Sequence, residues 1–176
     1  MKAIIFSGLC LLLAAISSGA YAAGEDQQNQ SLLQVDENYT STVDQNALEE
    51  ALAGEPTTEL SKVEREDLLY MAEEEKLAGD VYSSLNEKWN LRVFSNIIQA
   101  ERTHEAAVKT LLTRYSLPDP TQEVGKFSNE TLQKLHDDLV SQGSSAEEQA
   151  LMVGAAVEEI DIKDLEERMA RTDRAD

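Results

Sequence analysis

The sequence predicts an all-α domain, a helical bundle, and three observations carry that prediction. From Lys62 onward, apolar residues recur every three or four positions over long stretches with few breakers, which is the period of an amphipathic helix. No segment of useful length alternates with period two, so strands are not expected. Prolines and a glycine fall where helices would stop, in "SLPDP" and at Gly143.

Taken in order, a first helix is expected from about Lys62 to Lys88 and a second from about Leu91 to Tyr115. Pro118 and Pro120 end the second, because proline cannot continue a helix. A shorter third helix follows a loop, with Ser128 as its cap and Gly143 just past its end. Ser145-Ala-Glu-Glu148 reads as a capping box that opens a fourth helix running to about Ala170. The bundle would hold three long or medium helices and one short one.

The flanks differ in texture. Residues 1–22 carry one early lysine, an apolar run to Ile16 and small residues before Ala-Tyr-Ala, the layout of a secretory signal peptide cut after Ala22. Serines and glycines leave that run too short for a comfortable membrane span, so no membrane anchor is expected after cleavage. Residues 23–60 form an acidic segment with no Lys or Arg, expected to be a disordered, solvated arm with at most one short helix at "VDQNALEEAL". The helical domain is placed at 61–172, with 173–176 as a tail.

Composition excludes several functions. Lys2 is the one charged residue of the leader, so its removal takes the net charge from −19 to −20. Such a surface repels nucleic acid and draws cations. Cys10, the single cysteine, also leaves with the leader, so core packing, metal or association must stabilise the exported chain instead of disulfides. There is no nucleophilic triad, phosphate loop or nucleotide fingerprint.

Helical spacing then sorts the acids. Glu75 shares a face with Leu68, Met71, Ala72, Ala78, Gly79 and Tyr82, whereas Glu73 falls well off that stripe and is expected to face water, and Glu74 is intermediate. In "ERTH", Glu101 lies among Phe94, Ile97, Ile98 and Val108, and His104 among Ile97, Ala107, Val108 and Leu111. Glu158 is flanked by Leu151, Gly154, Ala155, Ile162 and Leu165, with Asp161 one turn on. Three helices thus send ionisable groups inward, and a buried carboxylate requires compensation. Salt bridges are one solution, with Arg92, Arg102, Lys76 and Arg168 as candidates, although none shares a stripe with Glu101 or Glu158. A metal is the other, because it neutralises several carboxylates at once and uses His104 as a neutral ligand; helical bundles build such sites from inward Glu and Glu-x-x-His. His136, among Leu132, Leu139 and Val140, reads as a packed core histidine.

The stretch "LLYMAEEEKLAGDVYSSLNEKWNLRVFSNIIQAERTHEAAVKTLLTRYSLPDP", followed by "GKF", "LQKLHDDLVSQGS" and "ALMVGAAVEEIDIKDLEE", closely resembles the domain of unknown function 2202 family, placed in the ferritin-like superfamily. The resemblance covers roughly residues 60–172. It implies a ferritin-like bundle with Glu75, Glu101, His104 and Glu158 as iron ligands and Tyr82 behind them. It also implies a further long helix with another histidine beyond Thr172-Asp173, where the present chain reaches Asp176. The bundle is therefore expected to be incomplete, with a homo-oligomer covering the missing helix.

The function expected is that of a secreted, or in a bacterium periplasmic, metal-binding protein. Iron, as a di-iron centre bridged by Glu75 and Glu158, is the first choice and manganese the second, with ferroxidase-type oxidation of Fe²⁺ as the activity. The alternative is an acidic extracellular matrix or surface protein that gathers calcium or mineral and uses the helices without redox chemistry.

Overall fold

The computed structural model describes residues 32–35, 41–174 and 176; the expected signal peptide and most of the arm before Ser41 lie outside them. The architecture is helical, as expected. Five helices are present among the described residues: α1 (Gln45–Gly54), α2 (Lys62–Trp89), α3 (Arg92–Arg114), α4 (Glu130–Gly143) and α5 (Glu147–Met169). Two three-residue strands, β1 (Leu33–Val35) and β2 (Ser41–Val43), add a small antiparallel pair in which Gln34 faces Thr42. Strands this short leave no readable alternation in sequence.

The long helix α2 is the axis of the domain, and α3, α4 and α5 all pack on it. It starts in a capping box: the Ser61 hydroxyl accepts from Glu64 N–H, and the Glu64 carboxylate accepts from Ser61 N–H. It stops at Asn90, whose left-handed backbone (φ 50°) is one that asparagine tolerates. Every residue from 71 to 82 is buried, so this segment has no solvent face. Its apolar members Leu77, Ala78, Val81, Tyr82 and Leu85 form the core with Phe94, Phe127, Leu132, Leu139, Ala150, Val153 and Val157. A smaller cluster of Leu60, Ala72, Leu112 and Leu117 closes the other end.

Three polar residues of the buried segment have structural partners. Glu73, expected to face water, is buried instead; it accepts hydrogen bonds from Ser128 N–H and Asn129 N–H. With helices on several sides of α2, an off-stripe position still points into protein. Lys76 and Asp80 pair at 2.5 Å, and Asp80 also accepts from Gly125 N–H at 2.9 Å. The Lys76 ammonium lies 4.3 Å from the Phe127 ring centre.

Two caps differ from expectation. Asn129, not Ser128, caps α4, accepting from Thr131 and Leu132 N–H. Ser145 makes no capping box; its hydroxyl donates to Gln142 C=O, and Ala146 precedes α5 without a side-chain cap. His136 is buried, with its ring 5.3 Å from that of Phe127. No described helix is long and apolar enough to cross a membrane.

The expected short helix in the acidic segment is α1, capped by Asp44. It is packed: Val43, Ala47 and Leu52 are buried, and β2 and α1 both lie against α3. The tail is also anchored, since Arg174 donates to Glu64, Thr58 C=O and Glu59 C=O, and the Asp176 carboxylate accepts from Arg114 and Tyr115.

Candidate metal centre

Helix α2 delivers Glu75 and α3 delivers Glu101 and His104 to one point between them. Ligand atoms of these three side chains lie within 4.8 Å of one another. All are nearly inaccessible, at 5 % for Glu75 and 3 % for each of the others. Gly79 lies where the two helices meet; a Cβ built on it would sit 3.6 Å from Glu101 Cβ, an ordinary contact distance. His104 sits one turn after Glu101 and presents Nδ1 to the carboxylates, 3.4 Å from Glu101 Oε2 and 3.7 Å from Glu75 Oε2. Its other nitrogen, Nε2, is 3.4 Å from the Ser41 hydroxyl.

Glu158 comes from α5 and is half-buried. It stands outside the tight group of three, and its Oε1 accepts from the Tyr82 hydroxyl at 2.7 Å. That hydroxyl also lies 2.9 Å from Gly154 C=O, so Tyr82 ties α5 to the axis helix behind the site. Asp161, one turn further along α5, is 4 % exposed. Its charge acts on Glu75 and on His104. Glu74 lies beside it, also under the influence of Asp164.

The electrostatics are those of carboxylates short of positive charge. Burial, then Asp161, Glu101 and Glu74, push Glu75 well above the usual carboxylate range. Burial also raises Glu101 and, with help from Glu101 and Glu158, Asp161. Glu158 rises to about 7 through burial and the Glu101 charge, against the opposing pull of Tyr82 and His104. Glu74 reaches about 10, for burial and its Asp161 and Asp164 neighbours outweigh Arg168. Burial lowers His104, while Asp161 and Glu158 act the other way. Three of the cations considered from sequence make their ion pairs elsewhere: Lys76 with Asp80, Arg102 with Asp80 and Glu105, and Arg168 with Asp67.

The donor set fits a divalent cation. Glu75 Oε2 and Asp161 Oδ1 are buried oxygens without a hydrogen-bond donor, a costly state for an ionised carboxylate. Carboxylates with one imidazole suit iron or manganese better than a thiol-seeking metal. Of the four residues expected as ligands, the structure brings Glu75, Glu101 and His104 together, whereas Glu158, expected to bridge with Glu75, stands outside that group and is held by the Tyr82 hydroxyl. The sequence reading found these groups as inward-facing acids and an inward-facing histidine. It noted Asp161 without assigning it to the site, although the spacing of three from Glu158 puts both on one face. It missed Ser41, for which no local pattern exists.

The comparisons with known proteins agree on the domain. The chain is 45 % identical over 129 residues to uncharacterized protein MJ0754 from Methanocaldococcus jannaschii, covering 72 % of this chain and 70 % of that protein. It also resembles the crystal structure of hypothetical protein MJ0754 from Methanococcus jannaschii, with a TM-score of 0.67 and 46 % identity over 69 % of this chain and 70 % of the other. Residues 64–176 match the family described as uncharacterized protein domain DUF2202, and the chain belongs to that family.

Proposed function

We propose that this is an exported metal-binding protein of ferritin-like type, with iron as its metal. The observation that carries the reading is the convergence of Glu75, Glu101 and His104, all buried, with ligand atoms within 4.8 Å. Glu75, Glu101 and His104 Nδ1 would hold the ion. Glu158 and Asp161 supply further carboxylate from α5, the other helix whose charges reach the cluster. Tyr82 holds Glu158 by its hydroxyl and keeps it facing α2. Bound iron would supply a one-electron Fe²⁺/Fe³⁺ couple, the basis for ferroxidase-type turnover. At 3–5 % exposure, Glu75, Glu101 and His104 are themselves largely shut off from bulk water. Export is supported by the leader-like residues 1–22, and a second copy of the chain is the proposed partner.

The test is metal content after purification without chelator, comparing the parent with a Glu101→Ala/His104→Ala double variant. Iron in the parent and little in the variant supports the reading. Equal, near-zero iron in both removes it, and calcium-dependent association that survives loss of His104 would favour an acidic matrix protein instead.

A further inference from the structure

We infer that the segment from Ser41 to Glu55, which precedes the family domain, is a built-in cover over the metal centre, and that Ser41 is a positioning residue for His104. The Ser41 part deepens the metal-binding reading and rests on it; the cover part does not.

Ser41 is 3 % exposed, and its hydroxyl is 3.4 Å from His104 Nε2 on the ring edge opposite the carboxylates. If Nδ1 is to give its lone pair to a metal, the ring proton must sit on Nε2. A metal-ligating histidine usually donates that second N–H to an oxygen, which fixes both tautomer and ring orientation. A serine hydroxyl can accept that proton, and it can equally donate to a bare Nε2. Ser41 therefore suits the ring both with and without metal.

The segment is tied along α3 at spaced points. Val43 N–H donates to the Thr103 hydroxyl at 3.3 Å, Thr110 donates to the Gln45 side-chain carbonyl at 3.2 Å, and Arg114 donates to Glu55 C=O at 2.6 Å. Positions 103, 110 and 114 are two turns and then one turn apart, so the segment runs parallel to α3 on one face. Val43, Ala47 and Leu52 bury their side chains beneath it. The family match begins at residue 64, so this chain places over His104 a piece that lies outside the matched domain.

Two readouts on the full chain test the inference. The first is anaerobic Fe²⁺ titration of Ser41→Ala and Ser41→Thr. Loss of a hydrogen-bond partner behind a ligating histidine typically weakens metal binding by about tenfold or more, so Ser41→Ala is expected to lose that much. Ser41→Thr, which keeps the hydroxyl, should stay near the parent. Parent-like affinity in Ser41→Ala overturns the positioning role.

The second readout is the rate at which diethyl pyrocarbonate modifies His104 in metal-free protein, mapped by peptide mass and normalised to His136. Leu52→Asp, which loosens the cover, should raise that rate several-fold with helicity retained. Thr110→Val, which cuts one tie and leaves the apolar residues in place, should raise it less and serves if Leu52→Asp fails to fold. An unchanged His104 rate in the folded variants overturns the cover. A parent that takes up no Fe²⁺ would end the metal reading and with it the Ser41 role, and the modification rates would still decide whether the segment shields His104.

Discussion

Replacing Glu74 with glutamine should stabilise the metal-free protein, by an amount that depends on pH. Glu74 is 2 % exposed, and neither of its oxygens meets a hydrogen-bond donor. Burial, Asp161 and Asp164 raise its pKa from 4.5 to about 10. The stability associated with protonated Glu74 is therefore complete below pH 4.5 and is lost as pH rises towards about 10. At a pH of about 7.5 the folded chain holds a proton that the unfolded chain releases, roughly three pH units above the unfolded value, or about 4 kcal/mol. Glutamine has the same shape, is neutral at every pH and can donate an amide N–H to Asp164. Urea unfolding followed by far-UV circular dichroism should show Glu74→Gln more stable than the parent by about 4 kcal/mol near neutral pH, and by less than about 0.5 kcal/mol near pH 4.5. An equal difference at the two pH values would refute the reasoning, because it would mean that Glu74 does not titrate with folding.

Three further outcomes are expected. Glu73→Ala strips the acceptor from Ser128 and Asn129 N–H, so denaturant unfolding should show a loss of about 1–3 kcal/mol, whereas a merely solvated acid would lose almost nothing. Tyr82→Phe removes the hydroxyl that contacts Glu158 and Gly154 C=O, which should lower stability by about 1–2 kcal/mol; because that hydrogen bond lowers the Glu158 pKa, NMR titration should place Glu158 above its value of about 7. Metal uptake must displace protons from Glu75, Glu101, Glu158 and Asp161, all raised by burial. Calorimetry in buffers of different ionisation enthalpy should therefore register proton release and an affinity that rises with pH, and buffer-independent heats would contradict it.

Helical periodicity made much of this legible in the sequence. The helices were expected at about 62–88 and 91–115, and they lie at Lys62–Trp89 and Arg92–Arg114, because the apolar period is long and the prolines at 118 and 120 stop the second helix. The Ser61 capping box and the left-handed Asn90 that bound the first were seen only in the structure. Glu75, Glu101 and His104 were found by the same spacing, since each shares a stripe with core residues. Glu73 was misjudged because the stripe argument assumes one wet face, and α2 has none between 71 and 82. Asn129 displaced Ser128 as a cap because the Asn129 side-chain oxygen reaches Thr131 and Leu132 N–H, whereas the Ser128 hydroxyl is turned to Gln122 and Pro120 C=O. The contact of Ser41 with His104 joins residues 63 apart in sequence. Nothing near Ser41 marks it as a neighbour of the site, so only the folded chain reveals it.

The most direct measurement of the central claim is iron K-edge X-ray absorption on Fe²⁺-loaded protein, parent against His104→Ala. The account predicts an oxygen and nitrogen shell with imidazole scattering in the parent, and loss of that imidazole feature in the variant. An identical, oxygen-only shell in both proteins would contradict it, because the iron would then be held by surface acids and not by the buried cluster.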